Sequence, residues 1–420
     1  MPKIITDKKK IDKLLTRGVE EVIDKKHLRA RMLSGKRLRV KLGIDPTSSS
    51  LHLGRSIPLL KLRDFQELGH QVVFIVGDFT AVIGDTSDKE SERPMLTPQD
   101  VQKNLKSYKE QVAKIVDISA CEFRHNSEWL TGLNYHQIGE QADQFSLAEF
   151  LARENIKKRL DAGKRVSLRE LLYPLMQGYD SVAVKADVEL GGTDQRFNLL
   201  SGRTLQRFFK QEAQDIIMNP LVEGLDGRKM SSSWGNTINL TDNPDTMYGK
   251  VMSMGDELMI KYFTFCTRVP LTDIKNVEAR LKKKENPRDI KMQLARVIVE
   301  MYHNKKSASA AEEQFVKIFQ KKDAPNEMPE VKPSAYDIVV LLVEAGICKS
   351  KGEARRVIDQ GGVKINDKKV AAQNYSAMVK KGDIVQKVFG CACRRRAGLS
   401  SGYQIRRYCF ALFCVCSISG

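Results

Sequence analysis

Residues 37–78 read RLRVKLGIDPTSSSLHLGRSIPLLKLRDFQELGHQVVFIVGD, and the class of the fold can be inferred from this one stretch. Its first eight residues alternate polar and apolar side chains, which is the period of a β-strand. After a polar turn, apolar residues recur at helical spacing as far as Gly69, where we predict that the helix ends. The apolar run at 71–78 is typical of a buried parallel strand. Strand, helix and strand in succession form a βαβ unit, so we predict an α/β domain of the nucleotide-binding type.

The pattern of the following residues predicts further strands and many helices. A helix-rich stretch runs from about 97 to 176. Strand-like segments return at 182–190 and 215–218, and residues from about 240 to 322 are helical and polar in pattern.

Beyond these helices the sequence changes character. Residues 320–334 contain three prolines and no apolar periodicity, which predicts a linker. A helix capped by Ser334 and ended by Gly346 follows. A second short helix at 350–360 and two strands complete a small α+β domain.

Charge gives the first indication of a partner. Lys and Arg number 70 against 52 Asp and Glu, for a net charge of +18. Such an excess favours a polyanion such as nucleic acid. No apolar run long enough to cross a membrane occurs, and no signal-peptide segment follows MPKIITDKKK. We therefore expect a cytoplasmic protein without membrane association.

The turn after the first strand, residues 45–55, reads DPTSSSLHLGR. His52 and Arg55 stand three residues apart at a helix start, so both face the same way. There the free N–H groups and the helix dipole favour phosphate, and Gly54 leaves the backbone open to a nucleotide. The alternative is that His52 is a capping or surface histidine.

A second polar loop lies far downstream. Residues 226–233 read DGRKMSSS, with Arg228 and Lys229 adjacent and three hydroxyls after them. Such a loop can cover a triphosphate and neutralise charge as the bond between the α- and β-phosphates breaks. The alternative is a solvated surface loop.

Together, and in this order, the two motifs resemble the HIGH and KMSKS signatures of class I aminoacyl-tRNA synthetases. Tyr173, Gln177 and Asp180 in YPLMQGYD, followed by GGTDQ at 191–195, resemble the tyrosyl-tRNA synthetase family. The resemblance covers roughly residues 30–390. It implies a Rossmann-like catalytic domain with a parallel sheet, followed by a helical domain and a small α+β RNA-binding domain.

The implied activity is ATP-dependent conversion of L-tyrosine to tyrosyl-adenylate, followed by transfer of tyrosine to the 3′ end of tyrosine tRNA. Asp180 can accept the phenol O–H, and phenylalanine would leave that carboxylate unpaired. The resemblance also assigns Asp85 to the substrate ammonium, although Asp85 could instead be a turn residue. The full set of tyrosine-binding candidates is Lys41, Asp85, Tyr173, Gln177, Asp180 and Gln195.

Further roles follow from the resemblance to the family. The candidates that would act on the phosphates in catalysis are Thr47, His52, Arg55, Arg228 and Lys229. The candidates that would bind ATP are Asp45, Gly54, Gly192, Asp194, Leu221, Val222, Lys229, Ser231 and Ser232.

Three positions depart from the family pattern. Arg55 stands where the first signature carries histidine, and Ser232 stands where the second carries another lysine. Either Arg228 and Lys229 supply the charge, or the rate is lower. Lys41 stands where some members place a tyrosine near the substrate hydroxyl, so it either polarises that hydroxyl or points outwards.

The small domain resembles an RNA-binding domain shared by a small-subunit ribosomal protein and pseudouridine synthases. It holds 10 Lys and Arg against 6 Asp and Glu over 334–390. We predict contacts to RNA phosphates, the alternative being an exposed helix with incidental charge. The candidates are Lys349, Lys351, Arg355 and Arg356.

The tail at 391–420 departs from the family altogether, since it contains five arginines, five cysteines and no acid. Metal binding is one alternative, but no histidine is nearby, and we predict a disordered extension. The predicted division is a catalytic domain with a helical insertion (1–225), the signature loop with a helical domain (226–322), a linker (323–333), the RNA-binding domain (334–390) and this tail.

The resemblance implies ATP as a substrate, Mg²⁺ accompanying it, no dedicated metal site, tyrosine tRNA as partner and a homodimer. Two other functions stay open at this point. Tryptophanyl-tRNA synthetases share the fold and signatures, although Asp180 and the C-terminal domain argue against that activity. A synthetase-like RNA-binding protein with weak catalysis is kept open by the departures at Arg55 and Ser232.

Overall fold

The computed structural model describes residues 3–85, 96–320, 330–331, 334–348, 350–366, 368–380, 383–387 and 412–416. The chain divides into two compact units, the first formed by Met1–Asp242 and Leu258–Glu285, the second by Asn243–Glu257 and Asn286–Gly420. The loop at 226–233 belongs to the first unit, so the predicted boundary after residue 225 coincides with no limit of either unit.

Two sheets organise the described residues. The strands are β1 (Glu21–Ile23), β2 (Arg39–Ile44), β3 (Gln71–Val76), β4 (Cys121–His125), β5 (Val188–Gly192), β6 (Asp215–Asn219), β7 (Glu330–Val331), β8 (Val363–Ile365), β9 (Lys368–Lys369), β10 (Ile384–Lys387) and β11 (Leu412–Cys416). In the first unit the strand order is β1-β6-β5-β2-β3-β4. Only β1 is antiparallel to its neighbour, and the other neighbours pair in parallel.

Helices cover much of the remaining described chain. They are α1 (Lys8–Leu14), α2 (Lys25–Leu33), α3 (Leu53–Glu67), α4 (Asp78–Ile83), α5 (Pro98–Leu105), α6 (Tyr108–Ala113), α7 (Ser127–Leu130), α8 (Tyr135–Ala142), α9 (Leu147–Leu151), α10 (Glu154–Asp161), α11 (Leu168–Ala183), α12 (Arg196–Phe208), α13 (Pro244–Ser253), α14 (Met259–Phe265), α15 (Leu271–Lys282), α16 (Pro287–Tyr302), α17 (Lys305–Gln320), α18 (Ile338–Glu344) and α19 (Lys351–Asp359). Among these described helices, none is long and apolar enough to cross a membrane.

The βαβ unit predicted from residues 37–78 is confirmed as β2, α3 and β3. Every residue at 72–76 of β3 is fully buried, as its uninterrupted apolar run requires. Gly69 adopts a φ of +90°, the left-handed conformation that glycine tolerates best just after a helix end. The predicted strand at 215–218 is confirmed as β6.

Three details of the sheet differ from the sequence prediction. Both β1 and β4 lie at edges of the sheet, and none of their residues is fully buried. Their sequences therefore mix polar and apolar residues and give no clear strand signal. Residues 182–187 are not strand, because α11 continues to Ala183 and β5 begins only at Val188. Val182 and Val184 are buried there as part of the helix end and its cap.

The order of the strands locates a crevice. From β2 the chain passes through α3 to β3 on one side, while β5 pairs with β2 on the other side. In open α/β sheets, ligands bind outside the carboxyl ends of the strands at such a reversal. The turn after β2 and the segment after β5 carry the predicted motifs, so these motifs meet at that point.

In the second unit, α18, α19 and the strands after them enclose a core of their own. Its buried members all lie between Ile338 and Val385. The sheet order is β7-β11-β10-β8-β9. The predicted cap of α18 is wrong: Asp337 accepts from the Val340 N–H at 2.9 Å, whereas Ser334 contacts Glu344.

The linker and the tail are only partly described. Residues 321–329 and 332–333 of the linker lie outside the described residues, and Glu330–Val331 forms β7. Most of the tail also lies outside them. Disorder is the wrong prediction for Leu412–Cys416, which pairs with β10 as an antiparallel strand. An apolar segment can add to a sheet edge because edge backbone groups are unpaired.

Candidate active site

A cavity of about 470 Å³ opens at the carboxyl ends of β2 and β5 in the first unit. It collects side chains from the turn after β2, the start of α3, α11, the segment after β5 and the loop at 226–233. The predicted residues that line it are Asp45, Thr47, His52, Gly54, Arg55, Asp85, Tyr173, Gln177, Asp180, Gly192, Asp194, Gln195, Leu221, Val222, Lys229, Ser231 and Ser232.

Asp180 is almost completely buried, with 4% of its surface exposed. Its carboxylate accepts from Trp129 Nε1 at 2.8 Å and from Asn126 Nδ2 at 3.5 Å. Burial raises the pKa of Asp180 to about 7, although the charge of Lys41 and the donor Trp129 oppose the rise. The pocket therefore holds a carboxylate that is desolvated and oriented, as recognition of one polar group in an apolar slot requires.

Asp45 orients Tyr173 beside this carboxylate. The Tyr173 hydroxyl donates to Asp45 Oδ2 at 2.8 Å, and the Thr80 hydroxyl donates to Oδ1 at 2.7 Å. Burial raises the pKa of Asp45 to about 6. A Cβ at Gly77 would lie 2.0 Å from Asp45 Oδ1, so only glycine leaves room for this arrangement.

A chain of amide groups connects the other tyrosine-binding candidates. Asn198 Nδ2 donates to Gln177 Oε1 at 3.1 Å and to Gln195 Oε1 at 2.9 Å. Gln195 Nε2 donates in turn to Asp85 Oδ2 at 2.7 Å. Asp85 thus contacts another pocket residue and lines the cavity, which a residue serving only as a turn would not do.

His52 precedes α3 as its N-terminal cap residue. Burial lowers the pKa of His52 to about 3, and the positive charges of Arg55 and Lys229 act in the same direction. The imidazole is therefore neutral near pH 7. A Cβ at Gly54 would lie 3.1 Å from the ring, so this glycine lets the ring pack against the first helical turn.

The second loop reaches the nucleotide-binding candidates. Lys229 Nζ lies 2.7 Å from Asp194 Oδ2. A Cβ at Gly192 would lie 2.4 Å from the other oxygen of Asp194, so glycine is needed there as well. The hydroxyls of Ser48 and Ser232 lie 3.3 Å apart, which brings the two signature motifs into contact.

Lys41 does not line the cavity and does not point outwards, so it is not placed to contact tyrosine directly as predicted. Its side chain is fully buried, and its Nζ lies 2.9 Å from Glu189 Oε1. Lys41 of β2 and Glu189 of β5 are register partners, and side chains at such positions share one face of the sheet. Here that face is covered by α11, since Lys41 Nζ also donates to Ser181 Oγ at 2.7 Å.

Arg228 is also absent from the cavity lining. Its Nε donates to Asp226 Oδ2 at 2.8 Å, and its guanidinium carbon lies 4.7 Å from the centre of the Trp234 ring. These partners hold the side chain outside the pocket, so the prediction that Arg228 acts on phosphate is not met by this arrangement.

Sequence reasoning missed Asn126, Trp129, Thr80 and Asn198, although all of them contact predicted residues. A signal existed for the first two, because residues 126–129, NSEW, directly follow β4. Had β4 been recognised as a parallel strand, its carboxyl end would have placed these residues beside the crevice.

The predicted RNA contacts belong to the second unit. Lys351, Arg355 and Arg356 are exposed on α19, and Lys349 lies outside the described residues. The guanidinium of Arg355 lies 5.6 Å from the centre of the Tyr375 ring, which fixes one of these charges on the surface.

Comparison with known proteins gives consistent results. The family model described as tRNA synthetases class I (W and Y) matches residues 33–320. A second model, described as the tyrosine–tRNA ligase SYY-like C-terminal domain, matches residues 319–394. The tyrosine–tRNA ligase of Thermotoga maritima is 48% identical over 361 residues, which is 85% of this chain and 90% of that protein. The chain belongs to the tyrosyl-tRNA synthetases of class I.

Other tyrosyl-tRNA synthetases agree with this assignment. Tyrosine–tRNA ligase 2 of Vibrio parahaemolyticus is 45% identical over 364 residues, covering 86% of this chain and 92% of its own. The truncated mitochondrial enzyme of Coccidioides posadasii has 24% identity and a TM-score of 0.60, over 72% of this chain and 91% of its own. That likeness supports the fold alone, and it confirms the predicted fold class. The tryptophan alternative is not favoured.

Proposed function

We propose that this chain activates L-tyrosine with ATP and transfers it to tyrosine tRNA, using the cavity at β2 and β5. The observation that carries the proposal is the meeting of both signature motifs and Asp180 in one cavity. The membership of the chain in the tyrosyl-tRNA synthetase family supports the same reaction. These two observations favour an active enzyme over a catalytically weak RNA-binding protein.

Tyrosine recognition would rest on buried polar groups. Asp180 would accept the phenol O–H as a carboxylate fixed by Trp129 and Asn126. Phenylalanine would leave this carboxylate desolvated and unpaired, which is costly. Gln177 and Asp85 would hold the ammonium group, because the amide chain through Asn198 fixes both of them.

Activation would need no covalent intermediate with a side chain. The tyrosine carboxylate attacks the α-phosphorus of ATP, the bond to the bridging oxygen breaks, and pyrophosphate leaves. The contribution of the chain would be positioning and charge stabilisation. Neutral His52 can donate a hydrogen bond to a phosphate oxygen, whereas Arg55 and Lys229 supply the positive charges.

The roles of the nucleotide-binding residues follow from the contacts around Asp194. The ribose hydroxyls would bind Asp194 and so compete with Lys229 for its carboxylate. Leu221, which is 41% exposed, and the buried Val222 offer an apolar edge for adenine. Thr47, Ser231 and Ser232 present hydroxyls to the phosphates from the same lining.

Mg²⁺ would enter with the phosphates of ATP. Among the described residues no group of three or more His, Cys, Asp and Glu side chains could hold a metal ion. Because Mg²⁺ retains its water and prefers phosphate oxygens, a protein cage is not required.

Transfer would depend on the C-terminal domain and on a dimer. Lys351, Arg355 and Arg356 would contact tRNA phosphates, which orients the molecule without reading sequence. For the dimer, α9, α10 and α11 each expose large apolar side chains, including Leu168, which is 78% exposed. Apolar surface of this kind is commonly covered by a partner. Leu168→Asp should shift the sedimentation of the full chain from dimer to monomer.

The decisive experiment is ATP–pyrophosphate exchange with each of the twenty amino acids, followed by tRNA charging. We expect exchange with tyrosine and almost none with phenylalanine or tryptophan. Exchange with tryptophan instead would refute the specificity, and exchange with no amino acid would support the RNA-binding alternative.

A further inference from the structure

A buried ion pair lies beneath the tyrosine-binding residues. Lys41 and Glu189 are 0% and 1% exposed, and their charged atoms lie 2.9 Å apart. Neither side chain lines the cavity. The pair joins β2 to β5 at the point where the strand order reverses.

The two charges are saturated by hydrogen bonds. Lys41 Nζ donates to the Gln177 carbonyl at 2.9 Å and to Ser181 Oγ at 2.7 Å. Glu189 accepts from the Ser181 hydroxyl at 3.1 Å and also from Gln214 Nε2. Every charged atom of the pair therefore has at least one hydrogen-bond partner.

The packing of α12 makes room for this cluster. A Cβ at Gly202 would lie 2.9 Å from Ser181 Oγ and 2.5 Å from Gln214 Nε2. The glycine therefore admits polar side chains where a larger residue would displace them.

The cluster touches the pocket in two places. Glu189 Oε1 accepts from Gln177 Nε2 at 3.2 Å, so it holds the first amide of the chain that leads through Asn198 to Gln195. Asp180 is the second place. Burial raises its pKa most, the positive charge of Lys41 opposes that rise, and the negative charge of Glu189 adds to it.

Stability alone gives little reason for such a pair. Replacing a buried ion pair with well-packed apolar residues is often neutral or stabilising, because desolvation offsets the attraction between the charges. A pair that contacts a substrate-binding amide has a functional explanation instead.

We propose that Lys41 and Glu189 are positioning residues for tyrosine. Glu189 fixes the Gln177 amide, and the charge of Lys41, which contacts Gln177 and Ser181 on either side of Asp180 in α11, favours the carboxylate form of Asp180. The proposal rests on the proposed tyrosine-binding function of the cavity. The groups acting on Asp180 are Lys41 from β2, Glu189 from β5, the neutral donors Asn126 and Trp129 after β4, and Tyr173 on the same helix. Burial raises the pKa of Tyr173 well above its ordinary value, so this group stays neutral.

The test uses the opposite charges of the pair. Tyrosine affinity of the full chain is measured by titration calorimetry without ATP, from pH 5.5 to 8.5. Because a nearby charge moves a pKa by about one pH unit or more, Lys41→Gln should move the midpoint of tyrosine binding up by about one unit. Glu189→Gln should move it down by a similar amount, and the double variant should return it close to wild type.

A purely structural role predicts a different result, since both single variants would then weaken binding without moving the midpoint in opposite directions. That outcome would overturn the proposal. Lys291→Gln is the matched control, because Lys291 is a buried lysine of the second unit that donates to the Met254 carbonyl at 2.7 Å. It should lower Tm and leave the midpoint unchanged.

Two further outcomes distinguish a failure of the role given to the ion pair from a failure of the proposed tyrosine-binding function. If single variants are too unstable to titrate, the tyrosine affinity of the double variant Lys41→Gln with Glu189→Gln at pH 8.5 still tests the proposal. It should fall by about threefold or more because the Gln177 amide loses its charged acceptor, and an unchanged affinity would overturn the proposal. A wild-type chain that does not bind tyrosine would refute the proposed function itself. Binding of tyrosine by the wild type with no midpoint in this range would refute only the role given to the ion pair.

Discussion

Replacing Lys229 with alanine separates ground-state binding from transition-state stabilisation in the second signature loop. Lys229 Nζ lies 2.7 Å from Asp194 Oδ2, so one carboxylate oxygen of the proposed ribose site is already engaged. ATP would have to displace this contact for its ribose to bind Asp194. The displaced ammonium would then meet the charge that develops on pyrophosphate.

The expected magnitudes follow from these two roles. Removing one preorganised charged donor from a transition state costs about 3–4 kcal/mol, or about 100- to 1,000-fold in rate. Binding of ATP in the ground state should change much less, within about threefold, because the lost attraction to phosphate is offset by release of Asp194 from its ion pair. The effect should therefore appear in the rate of adenylate formation and not in affinity.

Single-turnover quench-flow with saturating tyrosine and varied ATP measures both quantities. Arg228→Ala is the matched control, since it removes the same charge from the adjacent position. Its guanidinium is exposed, is paired with Asp226 and packs on Trp234, so we expect at most about a threefold change. Equal losses in the two variants would refute the assignment, as would a Lys229→Ala variant that reacts at the wild-type rate.

Three other predictions concern tyrosine, pH and tRNA. Asp180→Asn should weaken tyrosine binding by about 10- to 100-fold, because a charge-assisted hydrogen bond is lost, and the affinity for phenylalanine should change little by comparison. Because burial raises the pKa of Asp180 to about 7, the folded chain binds more protons than the unfolded chain between about pH 4 and 7; stability should fall as pH rises through this window. Urea unfolding of both proteins at pH 5 and pH 8 should show a smaller fall in the free energy of unfolding for Asp180→Asn than for the wild type. An equal fall in the two proteins would contradict the raised pKa. Truncation after Pro333 removes a domain whose core lies between Ile338 and Val385, so ATP–pyrophosphate exchange should persist while tRNA charging falls roughly 100-fold. Normal charging by the truncated chain would show that this domain is not the tRNA-binding arm.

Local sequence carried enough information for the central part of the fold. The alternation at 37–44, the helical spacing after it and the apolar run at 71–78 each reflect one side-chain period, and the structure has β2, α3 and β3 there. The motifs around His52 and Lys229 were likewise identifiable, because each one depends on residues adjacent in the chain. The edge strands β1 and β4 were not identifiable from sequence, because partly exposed strands lack the run of apolar residues that marks a buried strand.

Tertiary structure alone decided which charged side chains face the pocket. Lys41 is adjacent to a pocket-lining strand residue, yet it pairs with Glu189 of a distant segment on the sheet face under α11. Arg228 and Lys229 are neighbours in sequence, but only Lys229 reaches Asp194. The physical reason is that a charged side chain can be buried only where ion-pair and hydrogen-bond partners compensate the cost of its desolvation. Those partners come from segments that are distant in sequence and that the fold brings together. Residue type and spacing therefore determined which chemistry this chain can perform, and long-range packing determined which of its residues are placed to perform it.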